Sequence, residues 1–389
     1  MSAKSILIVS TCFIDWGGSE ELWAQSVPHL LNSGHKITVY KKHLNYRHPK
    51  FAELAAKGVT LTDTRTTYNL GRRIISRGLI TLNNAYTEIK KLAPIKQADR
   101  AFIANLNTHT PDLVIVSQGI NFDGLEHAYQ CLLLNIPYVI ICQKAVDFYW
   151  PGVGDRSFMI KTLINAKQIF FVSYHNYKLT EEQFGVRLPN GSVIFNPVKV
   201  SRYPLPFPDT SNGYKLACVA RLFLLDKGQD MLIRILAQEK WKNRPFFVSF
   251  VGSGDDLEPL RAMAKLLAIK NVEFIGHIDN IENIWHNYHA LILPSRSEGL
   301  PLSVVEAMAS GRPVIITNAG GTAEVVEDNV TGFVGKIDYE MFDDAMERAW
   351  NERNNWENIG KKAAGYIAET VPKEPELEFA KIINKLIND

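Results

Sequence analysis

The sequence predicts two doubly wound α/β domains in tandem, and three observations carry that expectation. Short β-branched runs alternate with helical patterns along almost the whole chain. That alternation is broken once near the middle, by a proline-rich polar stretch. At 389 residues and 46% hydrophobic composition, the chain is too long for one ordinary core and long enough for two.

The first domain draws its strands from residues 6–11, 37–40, 59–62, 113–117, 138–142, 169–173 and 193–196, a parallel-sheet pattern. After Asn196-Pro197 the segment YPLPFPDTSNG can continue neither a helix nor a central strand, so it reads as the interdomain linker. The alternation restarts with strands at 216–220, 247–251, 272–275, 291–293 and 314–317, flanked by helices such as 257–267 and 304–309. Near the end Pro372 and Pro375 interrupt the chain before an amphipathic stretch that places Phe379, Ile382, Ile383 and Leu386 on one side. This is a docking helix. The expected divisions are therefore 1–197, 198–371 and 372–389.

Composition narrows the function classes. A formal charge of +2 with 22% charged residues leaves no surplus to drive nucleic-acid binding. No run of 18 apolar residues occurs, and the N-terminus lacks the sections of a signal peptide, so the expected location is cytoplasmic. Cys12, Cys131, Cys142 and Cys218 are scattered, which signals neither a disulfide framework nor a zinc site.

Open α/β sheets bind ligands beyond the carboxyl ends of their strands. Four loops in such positions are unusual. In SRSEGLPLSVVEAMASGRPV, Glu298 lies in a loop and Glu306, eight positions on, lies on the following helix. The backbone N–H groups of Gly299, Leu300, Leu302 and Ser303 are near that helix N-terminus, an anion-binding arrangement, and Pro301 suits its first turn. Glu306, about one turn in, is placed to accept hydrogen bonds from the two hydroxyls of a ribose. In ARLFLLDKGQD, Arg221 and Lys227 are cations suited to a diphosphate. No Asp-x-Asp pair is present to hold a divalent metal, so these cations must meet the leaving group's charge and activity is expected without metal or other cofactor. In DWGGSEE, Gly17-Gly18 lets backbone approach a ligand before a helix. In NAGGTAEVVEDNVTGF, Gly320-Gly321 precedes another helical segment with Glu324 in its first turn.

These motifs resemble the retaining glycosyltransferases of family 4. The resemblance runs over nearly the whole chain and is strongest from 216 to 336, above all at EGLPLSVVEAMASGRPVI. It implies the GT-B fold: two facing Rossmann-like doubly wound domains, with a C-terminal helix crossing back to the N-terminal domain. It also implies that Glu298 faces the donor sugar, Glu306 binds ribose, Gly299–Leu302 touch sugar and phosphate, Arg221 and Lys227 contact the diphosphate, and Gly17-Gly18 closes over the donor. Two departures stand out. Arg221 and Lys227 are six positions apart, one more than the commonest family spacing. The family's usual N-terminal-domain His is missing from ICQKAVDFYWPGV, where Asp147, a neighbour, or no residue takes its place near the sugar or acceptor.

The expected activity is transfer of a sugar from a nucleoside diphosphate to an acceptor hydroxyl, with retention resting on the resemblance alone. The acceptor is a glycan, a lipid-linked molecule or a small molecule. Two alternatives remain: a nucleotide-sugar epimerase, which forms product without an acceptor, and a non-catalytic nucleotide-sugar-binding partner of another transferase. A dehydrogenase is disfavoured because no Gly-x-Gly-x-x-Gly follows either first strand. Between 65 and 100, Arg65, Arg72, Arg73, Arg77, Lys90, Lys91, Lys96 and Arg100 face only Glu88 and Asp99. That patch is either a solvated helical face or a peripheral contact with anionic lipid.

Overall fold

The computed structural model describes residues 3–63 and 100–388. The basic patch from Arg65 to Lys96 lies outside the described residues. The chain divides into two compact units, one of residues 1–172, 177–194 and 375–389, the other of 173–176 and 195–374.

The first unit is built on a seven-stranded parallel sheet: β1 (Ser5–Ser10), β2 (Lys36–Lys41), β3 (Thr60–Asp63), β4 (Leu113–Ser117), β5 (Tyr138–Cys142), β6 (Gln168–Phe171) and β7 (Gly191–Val193). Its order is β3-β2-β1-β4-β5-β6-β7. Alternate side chains of the central strands enter different cores. Ile6, Ile8, Ile37, Val39, Leu113, Ile115, Val139 and Ile141 pack to one side with Leu22, Trp23 and Val27 of the helix Gly18–Asn32. Leu7, Val9, Val114, Val116, Ile140 and Phe171 pack to the other, with Leu125 and Ala128 of the helix Leu125–Leu133. Burial on both faces is why these strands read as continuous apolar runs rather than alternating ones. The helix Pro375–Leu386 belongs to this unit, where Phe379, Ala380 and Ile383 join the first of the two cores.

The second unit repeats the plan with β8 (Tyr214–Val219), β9 (Phe246–Val251), β10 (Val272–Gly276), β11 (Ala290–Leu293), β12 (Val314–Thr317) and β13 (Gly332–Gly335), ordered β10-β9-β8-β11-β12-β13. Leu216, Cys218, Val248, Phe250 and Ile292 face one core, while Ala217, Val251, Leu291 and Leu293 face the other. Both units are doubly wound in the Rossmann manner.

Two readings need correction. The proline-rich stretch taken as linker is part of the second unit, whose boundary falls at Ile194/Phe195. Leu205 donates to Ser310 O at 3.1 Å, and the buried Arg312 guanidinium grips Leu205 O and Pro206 O at 3.2 and 2.6 Å. Burial brings Arg312 down to about 10, and five hydrogen bonds to carbonyls take up its donors. Prolines suit this segment because its contacts with Arg312 are made through carbonyls, which proline retains. The edge strand β13 was missed because Gly-Phe-Val-Gly is too short and glycine-flanked to show a period. Among the described residues no helix is long and apolar enough to cross a membrane, and all four cysteines are buried free thiols.

Candidate functional site

In the second sheet the order of strands reverses between neighbours β8 and β11. The carboxyl ends of two such strands flank the crevice where doubly wound sheets take their ligands. Arg221 and Lys227 follow β8, and Glu298 follows β11.

Backbone contacts fuse these loops. Lys227 ends the short helix Leu224–Lys227, and Gly228 follows at φ 61°, where a Cβ would lie 2.2 Å from Pro294 O. Only glycine fits that crossing. Asp226 O accepts the N–H groups of Arg296 and Ser297 at 2.7 and 3.0 Å. Arg296 forks onto Asp230 at 2.7 and 2.9 Å. Burial pushes the Asp230 carboxyl up, but that guanidinium outweighs it and holds the group below its ordinary value.

At the centre Lys227 Nζ lies 2.6 Å from Glu298 Oε1, and Ser295 Oγ donates to the same oxygen at 2.6 Å. The Lys227 and Glu298 side chains are 18% and 7% exposed, so the pair is largely shielded from water and from salt. Arg221 has Nη2 3.4 Å from Asp226 Oδ2, and its guanidinium lies 4.8 Å from the centre of the Phe223 ring. Beside them the helix Leu302–Ala309 begins. Pro301 is its N-cap rather than a first-turn residue, and no side chain caps it. Among the described residues no acceptor meets the backbone N–H groups of Gly299, Leu300, Leu302 or Ser303. Those of Leu302 and Ser303 are orphan donors of a helix N-terminus, those of Gly299 and Leu300 lie in the loop just before it, and such donors suit an anion. Glu306 is buried in the second turn, with Oε1 accepting Lys199 N–H at 3.3 Å.

Sequence reasoning passed over four residues of this cluster. Ser295, Arg296 and Asp230 hold Glu298 and its loop, and Ser297 Oγ is buried with no hydrogen-bond partner. The two serines that precede Glu298 in SRSEG were the available signal. The Gly320-Gly321 loop is a 3₁₀ turn, Gly320–Val325, and not the lead into an α-helix. Its carboxylate is committed elsewhere, since Glu324 accepts the N–H groups of Tyr174 and His175 at 2.9 and 2.5 Å, within the same unit. Gly320 itself supports the site: at φ 57°, a Cβ there would sit 2.0 Å from Glu298 O. Replacing it with alanine combines left-handed strain with a clash against backbone, so Gly320→Ala is expected to cost about 2–4 kcal/mol. Urea denaturation measures this, and an unchanged midpoint would show that the Glu298 loop can yield.

Gly17, Gly18 and Asp147 belong to the first unit. Gly17 is the N-cap of the helix Gly18–Asn32, with extended backbone, and a Cβ there would crowd Ile14 Cδ1 at 3.1 Å. Asp147 is exposed in the loop after β5. Arg221, Lys227, Glu298, Gly299, Leu300, Pro301, Leu302 and Glu306 are all in the second unit, gathered at one end of its sheet.

Residues 207–365 match the family model described as glycosyl transferases group 1. The chain is 36% identical over 110 residues to an uncharacterized glycosyltransferase of Haemophilus influenzae, covering 28% of this chain and 31% of that one. It is 26% identical over 200 residues to the O-antigen biosynthesis glycosyltransferase WbnH of Escherichia coli, covering 51% and 54%. The chain thus spans less than two thirds of the length of either relative. Among solved structures, Anabaena Alr3699/HepE in complex with UDP and glucose superposes with a TM-score of 0.72 at 18% identity, covering 98% of this chain and 100% of that one. That likeness gives the fold, which is the GT-B fold of glycosyltransferases. The matched residues 207–365 carry the cations, the paired glutamates and the open helix N-terminus, and over them the chain is similar to the glycosyl transferases group 1.

Proposed function

We propose that this protein transfers a sugar from a nucleoside diphosphate to a hydroxyl of an acceptor, with the donor held mainly by the second unit. The observation that carries the reading is the convergence of Arg221, Lys227 and four unpaired backbone N–H groups at the switch point of one sheet. Cations and N–H donors together fit a diphosphate better than a neutral ligand. The two glycosyltransferase relatives and the UDP and glucose of the Anabaena structure support the same class.

As the glycosidic bond lengthens, negative charge gathers on the departing diphosphate. Cations fixed beforehand stabilise that state more than the bound donor, so they lower the barrier rather than merely tighten binding. Glu298 orders Lys227 until a phosphate arrives, after which the ammonium is shared between carboxylate and diphosphate. Glu306 is assigned the ribose hydroxyls, and Glu298 the sugar. Retention of anomeric configuration, activity without a metal ion, and a glycan or lipid-linked acceptor met in the cytoplasm complete the proposal.

Calorimetric titration of UDP, GDP, ADP and dTDP in the presence of EDTA tests it. A charged hydrogen bond contributes about 1.5–3 kcal/mol, so Arg221→Ala is expected to weaken the preferred nucleotide about tenfold or more. If none of the four nucleotides binds the unaltered protein, the transferase reading falls.

A further inference from the structure

The loop after β5 exposes three consecutive large aromatics, Phe148 at 64%, Tyr149 at 51% and Trp150 at 56%. Nothing in the stability of the fold calls for them, since exposed rings bury little area. Yet the loop beneath them is held by buried polar groups. Gln183, fully buried, donates from Nε2 to Val146 O at 2.8 Å and to Tyr149 O at 3.0 Å, and its Oε1 accepts from Asn121 Nδ2 at 3.0 Å. Trp150 Nε1 closes the turn on Asp147 O at 2.8 Å. From the loop after β4, Phe122 sits 5.5 Å from the Tyr149 ring and meets Phe184 edge-on at 5.2 Å. Phe122 does so at φ 64°, a conformation a bulky side chain adopts only where its surroundings over-determine it. Strain and a buried hydrogen-bond network thus both hold the backbone of a loop whose rings face solvent.

We infer that Phe148 and Trp150, with the Asp147 carboxylate beside them, form a preorganised platform for a neutral saccharide. A pyranose offers a C–H face to an aromatic ring and hydroxyls to a carboxylate, so this loop carries both halves of the recognition. A fixed platform loses little freedom on binding. The local charge disfavours an anionic bilayer: Lys144 and Arg156 are matched by Asp147 and Asp155, and the Arg156 guanidinium is turned onto Gln183 O and Phe184 O. The platform rests on the transferase reading only in that the saccharide would be the acceptor.

Saturation-transfer NMR of the full chain with maltose, cellobiose, lactose and chitobiose, one at a time, tests the platform. At least one disaccharide is expected to bind, and Phe148→Ala and Trp150→Ala are each expected to weaken it about tenfold, with Phe148→Tyr restoring it. Both replaced rings are exposed, so the thermal midpoint and UDP titration serve as unchanged controls. Failure of all four disaccharides to bind overturns the platform, as does binding indifferent to both substitutions. Capture by phosphatidylcholine vesicles carrying phosphatidylserine, lost in the same variants, overturns it in favour of a lipid surface. Disaccharide binding through these rings in a protein that binds no nucleotide would leave the platform standing and remove the transferase reading.

Discussion

Lys227→Ala is expected to lower turnover at least tenfold, the largest catalytic effect among the second-unit residues. Two losses combine. The ammonium that meets charge developing on the diphosphate disappears, and a charged hydrogen bond of that kind is itself about 1.5–3 kcal/mol. In addition, Glu298 keeps its burial and loses its cation, and among the described residues it retains the Ser295 hydroxyl. The orphaned carboxylate then faces the place assigned to the phosphates and repels them.

The second loss is separable by experiment. Lys227→Ala/Glu298→Gln removes the repelling charge along with the cation, so the double variant is expected to bind UDP more tightly than Lys227→Ala alone. Contacting charges in one network couple by about 0.5–3 kcal/mol, enough to resolve in a double-mutant cycle. Strictly additive effects would show that Glu298 does not feel the diphosphate, and near-normal turnover in Lys227→Ala would take Lys227 out of the mechanism.

The strands were legible because burial on both faces writes itself as an apolar run, and Leu113–Ser117, Tyr138–Cys142 and Val314–Thr317 could be read to the residue. The second-unit cluster was legible in parts. Spacing brought Glu298 and Glu306 together, and placement after strands singled out Arg221 and Lys227. Their mutual arrangement was not, because Lys227 and Glu298 are 71 residues apart and only the adjacency of β8 and β11 joins them. Phe122 shows the same limit in another form. Its left-handed backbone is imposed by packing against Tyr149 and Phe184, and no local propensity announces it. Gly320 and Gly228 were visible as glycines, yet the carbonyls that forbid a side chain there, Glu298 O and Pro294 O, come from other loops.

The largest stability loss is expected in the first unit, at a pair that sequence alone gave no reason to join. Lys41, at the end of β2, and Glu20, in the first turn of the helix Gly18–Asn32, are 1% and 0% exposed and 2.8 Å apart. Every donor of the ammonium is used: Glu20 Oε1, Cys12 O at 2.5 Å and Ser10 Oγ at 3.2 Å. Glu20 in turn accepts from Ser10 Oγ at 2.7 Å and from Trp23 Nε1 at 2.6 Å. Complete satisfaction is what makes two buried charges tolerable, and it is also what makes loss of one partner costly. Lys41→Met should therefore destabilise by about 3–5 kcal/mol in urea denaturation, because Glu20 stays buried without its cation. Lys41→Met/Glu20→Gln should recover much of that, since glutamine still accepts from Trp23 and carries no charge to bury. If the double variant is no more stable than the single one, the cost lies elsewhere: in the hold of Lys41 on Cys12 O, which anchors the loop leading to Gly17.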